Sequence, residues 1–345
     1  MAEPIENPRT LFVYWGRKGG GSRLAKELYS EWSKSVPRLD AQFSFRKAFR
    51  FEISEDCSLE GRLDLQASES MIRTLLSKSF YVSLFNFLNI SNNLNKKIRV
   101  VILMSSPIDT LLGPILGRKF EVWRIIHDAT RHEGDVWPTN RQIRKWASRD
   151  NIIVLSNYVA KRLLRNFPEK NIMISSLQRE SNPEVGKPII EEPYCLIIGR
   201  GKKYQLPVDL ELIAKTLPIK LCIAGENFPE IKLKNTIAIR RWLDEEEFEN
   251  LIKYSKFVIC LYSEASQSGV IEQALSHGVP VLASGVGGLM EQVRLGIDGY
   301  FIDETITESL SLKIRQIIQI DRSKVGKNRD GKTLLKCLDA HAFFD

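Results

Sequence analysis

The chain has 345 residues, of which 43% are hydrophobic and 27% charged, and a formal net charge of +8. These values are typical of a soluble globular protein with two domains. No apolar run approaches the roughly 20 residues that span a bilayer, and the N-terminus lacks the basic and apolar regions of a secretory signal. We therefore expect a cytoplasmic protein without a membrane-spanning segment.

The charge is unevenly distributed along the chain. Residues 1–180 carry 29 Lys and Arg against 19 Asp and Glu, whereas residues 181–345 carry 21 against 23. A basic N-terminal half favours contact with an anionic membrane surface or an anionic acceptor. No known nucleic-acid-binding motif is present, so nucleic acid is not an expected partner. The five cysteines are scattered without metal-ligand spacing, and no metal site is predicted.

The chain opens with a buried strand over Thr10–Trp15 and an amphipathic helix over Arg23–Trp32. The loop between them contains Gly19, Gly20 and Gly21, which lets the backbone approach a phosphate. The spacing is neither that of a P-loop nor that of a Rossmann fingerprint, and a simple tight turn is equally compatible with it.

The segment from about residue 40 to residue 90 is less informative. Phe49–Ile53 is strand-like, and residues 70–90 are rich in Ile, Leu and Phe, with Arg73 and Lys78 as their charged residues. We expect a packed helix over 70–90, with an amphipathic helix lying on a membrane as the alternative.

Two further strands are predicted at Arg99–Met104 and Val122–Ile126, and His127 follows the second. Ligands bind at the carboxyl ends of parallel strands, so His127 is a candidate site residue, with a structural loop histidine as the alternative. A basic, Trp-containing patch follows over 131–149, with a solvated helix face as the alternative.

Strands alternate with helices through most of the chain, which predicts an α/β fold of two doubly wound, Rossmann-like domains facing across a cleft. The first domain covers 1–178, a polar linker covers 179–193, and the second domain covers 194–325. The tail, 326–345, is charged and then weakly helical.

The second domain begins with a strand over Tyr194–Gly199, followed by Arg200 and two candidate lysines, Lys202 and Lys203. Further along, an apolar strand at Phe257–Tyr262 leads into a short polar loop. These segments place polar groups at the carboxyl ends of two strands of one sheet.

A helix opened by Ser268 and Gly269 follows that loop, and Val270 begins its buried face. Helix N-terminal amides carry partial positive charge and suit a phosphate without a metal. Glu264 lies in the loop and Glu272 in the first turn, where carboxylates can accept hydrogen bonds from sugar hydroxyls.

The two glutamates are separated by seven residues, and Gly-Val-Pro-Val at 278–281 and Gly-Gly-Leu-Met-Glu at 287–291 follow. This combination resembles the donor-site signature of retaining GT-B glycosyltransferases of glycosyltransferase family 4, the group 1 glycosyl transferases. The resemblance is specific over about 195–303 and implies a GT-B fold. It also implies a hexosyltransferase-type enzyme of class EC 2.4 that uses a nucleotide-diphosphate sugar as donor.

The resemblance also implies residue roles. Glu272 holds the ribose, Glu264 holds the transferred sugar, and Arg200 with Lys203 stabilises the departing diphosphate without a metal or other cofactor. His127 approaches the donor from the first domain. The remaining donor contacts are implied for the first-domain glycines and the helix amides, namely Gly19, Gly20, Gly21, Ser268, Gly269 and Val270.

The implied acceptor is a glycan or lipid-linked molecule of surface polysaccharide biosynthesis, with the enzyme able to lie on the inner face of the membrane. In the GT-B fold the C-terminal tail often returns to the first domain.

Two departures from the family pattern are present: the Arg–Lys interval is short, and Glu226-Asn227 replaces the second glycine of Gly-x-Gly. Two alternatives therefore stay open, a non-catalytic GT-B protein that binds a sugar nucleotide or glycan, and a GT-B sugar-nucleotide epimerase. A GT-B phosphorylase is not among them, because it needs a much longer chain with a pyridoxal lysine, and this sequence shows neither.

Overall fold

The computed structural model contains two parallel six-stranded sheets that follow one another along the sequence. It describes residues 9–16, 20–34, 41–45, 71–82, 85, 98–132, 138–177, 185–205, 210–230, 233–302, 307–329, 331 and 333–342. Gly19, Phe49–Ile53 and residues 178–184 of the linker region lie outside the described residues.

The first sheet and the helices packed on it form what we call the first domain. Its strands are β1 (Arg9–Tyr14), β2 (Ala41–Phe45), β3 (Ile98–Ile102), β4 (Glu121–Ile125), β5 (Asn151–Val154) and β6 (Ile172–Ile174). Its helices are α1 (Gly20–Lys34), α2 (Met71–Leu75), α3 (Pro107–Lys119), α4 (Asn140–Arg149) and α5 (Asn157–Leu164). The strand order is β2-β1-β3-β4-β5-β6, so the chain changes direction across the sheet between β1 and β3.

The second sheet and its helices form the second domain. Its strands are β7 (Tyr194–Gly199), β8 (Lys220–Gly225), β9 (Thr236–Ile239), β10 (Val258–Cys260), β11 (Val281–Ser284) and β12 (Gly299–Ile302). Its helices are α6 (Leu210–Thr216), α7 (Glu245–Tyr254), α8 (Gly269–Ser276), α9 (Leu289–Gln292) and α10 (Thr307–Ile318). A final helix, α11, covers Leu334–Ala342.

The order of the second sheet is β12-β11-β10-β7-β8-β9, so its two halves meet between β7 and β10. In open parallel sheets this switch point leaves a crevice at the carboxyl ends of the strands, because the two connections leave in opposite directions. The loops after β7 and β10 carry Arg200 and Glu264. The topology therefore brings the two predicted donor-binding segments to one crevice.

Helices cover both faces of each sheet, which explains why the strands read as continuous apolar runs. On one face of the first sheet, Phe12 and Phe43 pack with Tyr29 and Trp32 of α1. The ring centroids of Phe12 and Phe43 are 5.1 Å apart, and those of Tyr29 and Phe43 are 4.8 Å apart. This aromatic cluster anchors α1 on β1 and β2.

The C-terminal helix α11 packs on the first domain. Its residues Leu334, Leu335 and Leu338 are buried in the same cluster as Phe12. The Thr333 hydroxyl donates to Glu31 Oε1 of α1 at 2.7 Å. The chain therefore ends on the domain in which it begins.

The two α/β sheets predicted from the sequence are confirmed. The prediction of one packed helix over 70–90 is wrong for the described residues, because α2 ends at Leu75 and residues 78–82 form a separate helical segment. Ile72, Leu76 and Tyr81 are largely exposed rather than packed. Within the described part of the chain, no helix is both long and apolar enough to cross a membrane.

Candidate active site

Helix α8 begins at Gly269 because Ser268 caps it. The Ser268 hydroxyl accepts a hydrogen bond from the Ile271 amide at 3.3 Å, which satisfies one of the N-terminal amides of the helix. The Ser268 amide donates to Gln292 Oε1 at 2.7 Å. That amide, which the resemblance assigned to the donor diphosphate, already has a protein partner. Gly269 and Val270 supply the first two residues of the helix.

Two glycines support the loop that precedes α8. A Cβ atom on Gly287 would lie 2.0 Å from the Ala265 carbonyl oxygen, and one on Gly288 would lie 1.8 Å from that of Ser266. Gly287 also has a φ of 53°, a left-handed conformation that suits glycine. The Gly287-Gly288 pair therefore allows a close backbone approach that fixes the loop carrying Glu264.

Glu264 reaches across the cleft to a histidine of the first domain. His132 Nδ1 lies 3.1 Å from Glu264 Oε1, and His132 Nε2 lies 2.8 Å from Asp128 Oδ1. The His132 ring also stacks on Tyr204 of the second domain, with centroids 4.8 Å apart. One imidazole thus bridges two carboxylates, one from each domain.

This arrangement favours the charged form of the imidazole. The hydrogen bond to Asp128 is the largest cause, and together with the charges of Asp128 and Glu264 it outweighs burial and raises the pKa of His132 to about 9. Burial alone would raise the pKa of Asp128, but the hydrogen bond and charge of His132 lower it. His132 is therefore cationic at neutral pH, between two anionic partners.

His127 also lies at the junction of the domains. Its Nε2 is 3.0 Å from the Leu103 carbonyl oxygen, which can only accept, so this nitrogen carries the proton. Its Nδ1 is 3.0 Å from Gln267 Nε2 of the second domain, which donates. These two contacts orient the ring at the carboxyl end of β4, close to the start of α8.

Glu272 is almost fully buried and is ion-paired to the C-terminal segment. Arg329 Nη2 donates to Glu272 Oε1 at 3.0 Å, and Arg329 Nη1 makes a second contact with Oε2. Gln292 Nε2 donates to Glu272 Oε1 at 2.7 Å. The carboxylate assigned to the ribose is thus already held by a bidentate guanidinium and an amide.

Arg329 connects this network to the first domain through the chain itself. It also donates to the Gln292 carbonyl oxygen at 3.0 Å, so it is fixed at the end of α9. Four residues later, Thr333 bonds to Glu31 of α1. Arg329 and Thr333 therefore contact the buried Glu272 and the first domain within four residues of one another in the chain.

The cationic pair predicted after β7 lies at the crevice but at its exposed edge. Arg200 and Lys203 are both exposed. The carbonyl oxygen of Tyr204 accepts a hydrogen bond from the Ser263 amide at 2.8 Å, which places the Lys203 segment beside the residue that precedes Glu264.

The turn after β8 explains one departure from the family pattern. Asn227 has a φ of 60°, the left-handed conformation that glycine usually supplies and that asparagine tolerates. Its side-chain amide donates to the Arg200 carbonyl oxygen at 3.2 Å. Asn227 therefore keeps the turn that the second glycine of Gly-x-Gly would make and also supports the loop that carries Arg200.

Of the three glycines in the first loop, Gly20 and Gly21 begin α1. A Cβ atom on Gly21 would lie 2.5 Å from Met104 Sδ and 2.8 Å from the Tyr14 ring. These glycines therefore let α1 approach the ends of β1 and β3. Glu264 contacts His132, and Glu272 contacts Gln292 and Arg329.

Further contacts hold the two domains together around the cleft. The Ser156 hydroxyl donates to the Ser266 carbonyl oxygen at 3.1 Å, and the Asn157 amide donates to Glu291 Oε2 at 2.7 Å. At the opposite side, Lys26 pairs with Glu245 at 3.0 Å. The structure is therefore a closed arrangement of the cleft.

Sequence reasoning missed several residues of this site. His132 was assigned only to a basic patch, although it lies four residues after Asp128 in the sequence. Gln267, Gln292 and Arg329 carry no local signal, because each acts on a residue distant in sequence. Of the predicted site residues, Glu264, Ser268 and Glu272 lie on one loop and helix, which His127 contacts through Gln267. Arg200 and Lys203 are exposed at the rim.

The second domain matches a known protein family. Residues 192–319, the part that contains both glutamates, match the family described as "Glycosyl transferases group 1". This part of the chain is a group 1 glycosyl transferase domain. The predicted resemblance to group 1 glycosyl transferases and the predicted enzyme class, a glycosyltransferase, are confirmed over this domain. No curated protein matches the sequence.

Solved structures share the fold of the whole chain. Sucrose-phosphate synthase from Thermosynechococcus elongatus is 15% identical, with a TM-score of 0.64 over 98% of this chain and 94% of that one. A glycosyltransferase from Rickettsia africae ESF-5 is 13% identical, with a TM-score of 0.61 over 98% of each chain. Anabaena Alr3699/HepE in complex with UDP and glucose is 13% identical, with a TM-score of 0.61 over 97% of this chain and 94% of that one. The predicted GT-B fold is therefore confirmed.

Proposed function

We propose that this protein is a retaining, metal-independent glycosyltransferase that moves a sugar from a nucleotide-diphosphate sugar to a glycan or lipid-linked acceptor. The observation that carries the proposal is the placement of Glu264 and Glu272 on either side of the α8 N-terminus, in the domain that matches the family. The structure of HepE with UDP and glucose supports a donor of this class.

The roles of the donor-site residues follow from their positions. Glu264 lies on the loop, where its charge favours the positive charge that develops on the sugar as its bond to the diphosphate breaks. Arg200, Lys203 and the first amides of α8 stabilise the growing negative charge of the departing diphosphate. His127 lies across the cleft from them, on the first domain. The acceptor hydroxyl oxygen then bonds to the sugar on the face that the diphosphate leaves, which retains the configuration, and its proton passes to the departing diphosphate.

A non-catalytic, donor-binding protein is the second candidate. It is favoured by the ion pair that already engages Glu272, and by the exposed position of Arg200 and Lys203 at a shortened interval. Binding of a sugar nucleotide would then occur without turnover.

A panel of nucleotide-diphosphate sugars incubated with the enzyme separates these candidates. We expect slow release of free sugar from one donor without acceptor, and we expect this activity to survive EDTA, because fixed cations and amides replace a divalent ion. Nucleotide release can be followed by chromatography. Donor binding without any sugar release favours the non-catalytic candidate, and full loss in EDTA with recovery on adding manganese contradicts metal independence.

The two glutamates are expected to give different kinetic phenotypes. Glu264→Gln should lower kcat, because its charge acts on the reacting sugar, whereas Glu272→Gln should mainly raise KM, because the ribose does not change during reaction. Loss of one charged hydrogen bond costs about 1.5–3 kcal/mol, or about tenfold to a hundredfold in either constant. Steady-state kinetics with donor titration measure both, and two fully active variants would remove the glutamates from the mechanism.

We also propose that the first domain lies against an anionic membrane surface. Its exposed apolar residues include Ile72, Leu76 and Tyr81, which flank the cations Arg73 and Lys78. Binding to anionic vesicles should fall as salt rises, because screening shortens the attraction to about 8 Å at physiological ionic strength. Vesicle sedimentation measures this, and equal binding to neutral and anionic vesicles contradicts the proposal.

A further inference from the structure

The carboxylate of Glu264 is not fixed by the backbone that carries it. Gly287 and Gly288 fix the loop before α8, but the Glu264 side chain extends from this loop and is 43% exposed. A glutamate side chain in such a position has several rotamers open to it. A group that acts on a reacting atom has to be placed accurately, because a displacement of about 1 Å can cost about a hundredfold in rate. The carboxylate therefore needs a partner from another element.

His132 supplies that partner from the opposite side of the cleft. Its Nδ1 lies 3.1 Å from Glu264 Oε1, although the two residues are 132 positions apart in the chain. Its Nε2 lies 2.8 Å from Asp128 Oδ1. An ionised carboxylate can only accept a hydrogen bond, so the imidazole donates at both nitrogens when it is charged. One charge-assisted bond from the first domain thus orients a carboxylate of the second.

The imidazole ring of His132 is itself held in place. Its side chain is only 14% exposed, and its ring stacks on that of Tyr204 with centroids 4.8 Å apart and an interplanar angle of 18°. Tyr204 packs edge-on against Tyr262 at 6.3 Å, and the Tyr262 hydroxyl lies 3.4 Å from Ser268 Oγ at the start of α8. The first domain therefore holds His132 by a carboxylate, and the second holds it by a row of rings that ends at the donor-site helix.

The groups packed around His132 favour its cationic form. The titratable neighbours include Asp128, Glu264 and Tyr204 in direct contact, and His127 and Lys202 one contact further away. The hydrogen bond to Asp128 is the largest cause of the raised pKa of His132, which is about 9, and the charges of both carboxylates add to it against the effect of burial. The bridge to Glu264 is therefore fully charged at neutral pH and loses its charge near pH 9.

We infer that His132 is a positioning residue that holds the carboxylate of Glu264 against the reacting sugar once the cleft has closed. It acts through Glu264 rather than by contact with the donor. A carboxylate has about four acceptor positions, and His132 uses one of them, so Glu264 can bind His132 and sugar hydroxyls together. Closure then completes the site, because an open cleft separates the two residues. This inference rests on the proposed role of Glu264 in sugar transfer and adds the group that orients it.

Kinetics of sugar release as a function of pH test this role, with the nucleotide-diphosphate sugar that the donor panel selects. In the wild type, kcat should fall as pH rises through about 9, where the imidazole loses its charge. At pH 7, His132→Gln should lower kcat about tenfold and leave the KM for donor nearly unchanged, because the bond acts on the carboxylate that faces the reacting sugar. The kcat of this variant should show no fall near pH 9. A merely structural histidine would not produce this split or this pH dependence.

Asp128→Asn tests the same role with the histidine in place. It removes the largest cause of the raised pKa of His132, so the fall in kcat should move from about pH 9 toward the ordinary value of 6.5. This shift decides the matter if His132→Gln does not fold. Arg131→Gln is the matched control, because it removes an exposed cation next to His132 in the chain, and its pH profile should match the wild type.

NMR titration of the imidazole protons separates a failure of this inference from a failure of the proposed function. The chain has four histidines, and the signal that is missing in His132→Gln identifies the one concerned. That signal should titrate near pH 9 in the wild type and at lower pH in Glu264→Gln. Titration that ignores Glu264→Gln overturns the inference, as does wild-type kcat in His132→Gln. A titration that responds to Glu264→Gln, in a protein that releases no sugar from any donor, shows that the bridge is correct and the transferase function is wrong.

Discussion

Replacing Arg329 by methionine is expected to lower the free energy of unfolding by about 3 kcal/mol, because it leaves the carboxylate of Glu272 buried with only an amide partner. Donor binding should weaken as well, since Glu272 would lose the group that fixes its position. Urea denaturation measures the first effect, and the Tm shift on adding the donor measures the second.

The matched control is Arg315→Met, the same substitution at an exposed position of α10. It should change stability by less than about 0.5 kcal/mol. The double variant Glu272→Gln, Arg329→Met should recover much of the lost stability, because no unpaired charge stays buried, but it should not recover donor binding. If Arg329→Met is as stable as Arg315→Met, the ion pair does not form in solution.

Stability is expected to depend on pH through His132. Its pKa is raised from 6.5 to about 9, so its contribution is fully present below pH 6.5 and is lost as pH rises through 9. The loss should be about 2 kcal/mol, allowing for solvent screening of the half-exposed Glu264. The same loss should loosen the cleft, since His132 is bonded to Asp128 on its own domain and to Glu264 on the other.

Urea unfolding at pH 6, 8 and 10 checks this, with the difference between wild type and His132→Gln isolating the one histidine. The variant should lack this contribution, so its free energy of unfolding should change less with pH between 6.5 and 9. Lys26→Gln is the control, because it removes another cross-domain contact, an exposed pair with Glu245 at 3.0 Å, in which no histidine takes part. Identical pH profiles for wild type and His132→Gln would contradict a charged bridge across the cleft.

Much of the second domain was predictable because its signals are local. Ser268, Gly269 and the apolar residues after them define a capped helix within a few positions, and Gly287-Gly288 lies within one strand-helix unit of it. Apolar runs were likewise sufficient to predict the strands β7 and β10. The prediction over residues 70–90 failed because apolar content alone does not determine whether a segment is packed or exposed.

The sequence by itself determined the α/β alternation and the pair Glu264 and Glu272, because each depends on residues close together in the chain. The switch point between β7 and β10 came from the tertiary structure, because it pairs strands that are distant in sequence. Only the tertiary structure showed that His132 bridges Asp128 and Glu264, and that Arg329 pairs with Glu272. These contacts join residues 132 and 57 positions apart, and such pairings are set by how the two domains close and where the tail returns. No periodicity or spacing in the chain encodes that closure, because it results from packing between surfaces that form only after each domain has folded.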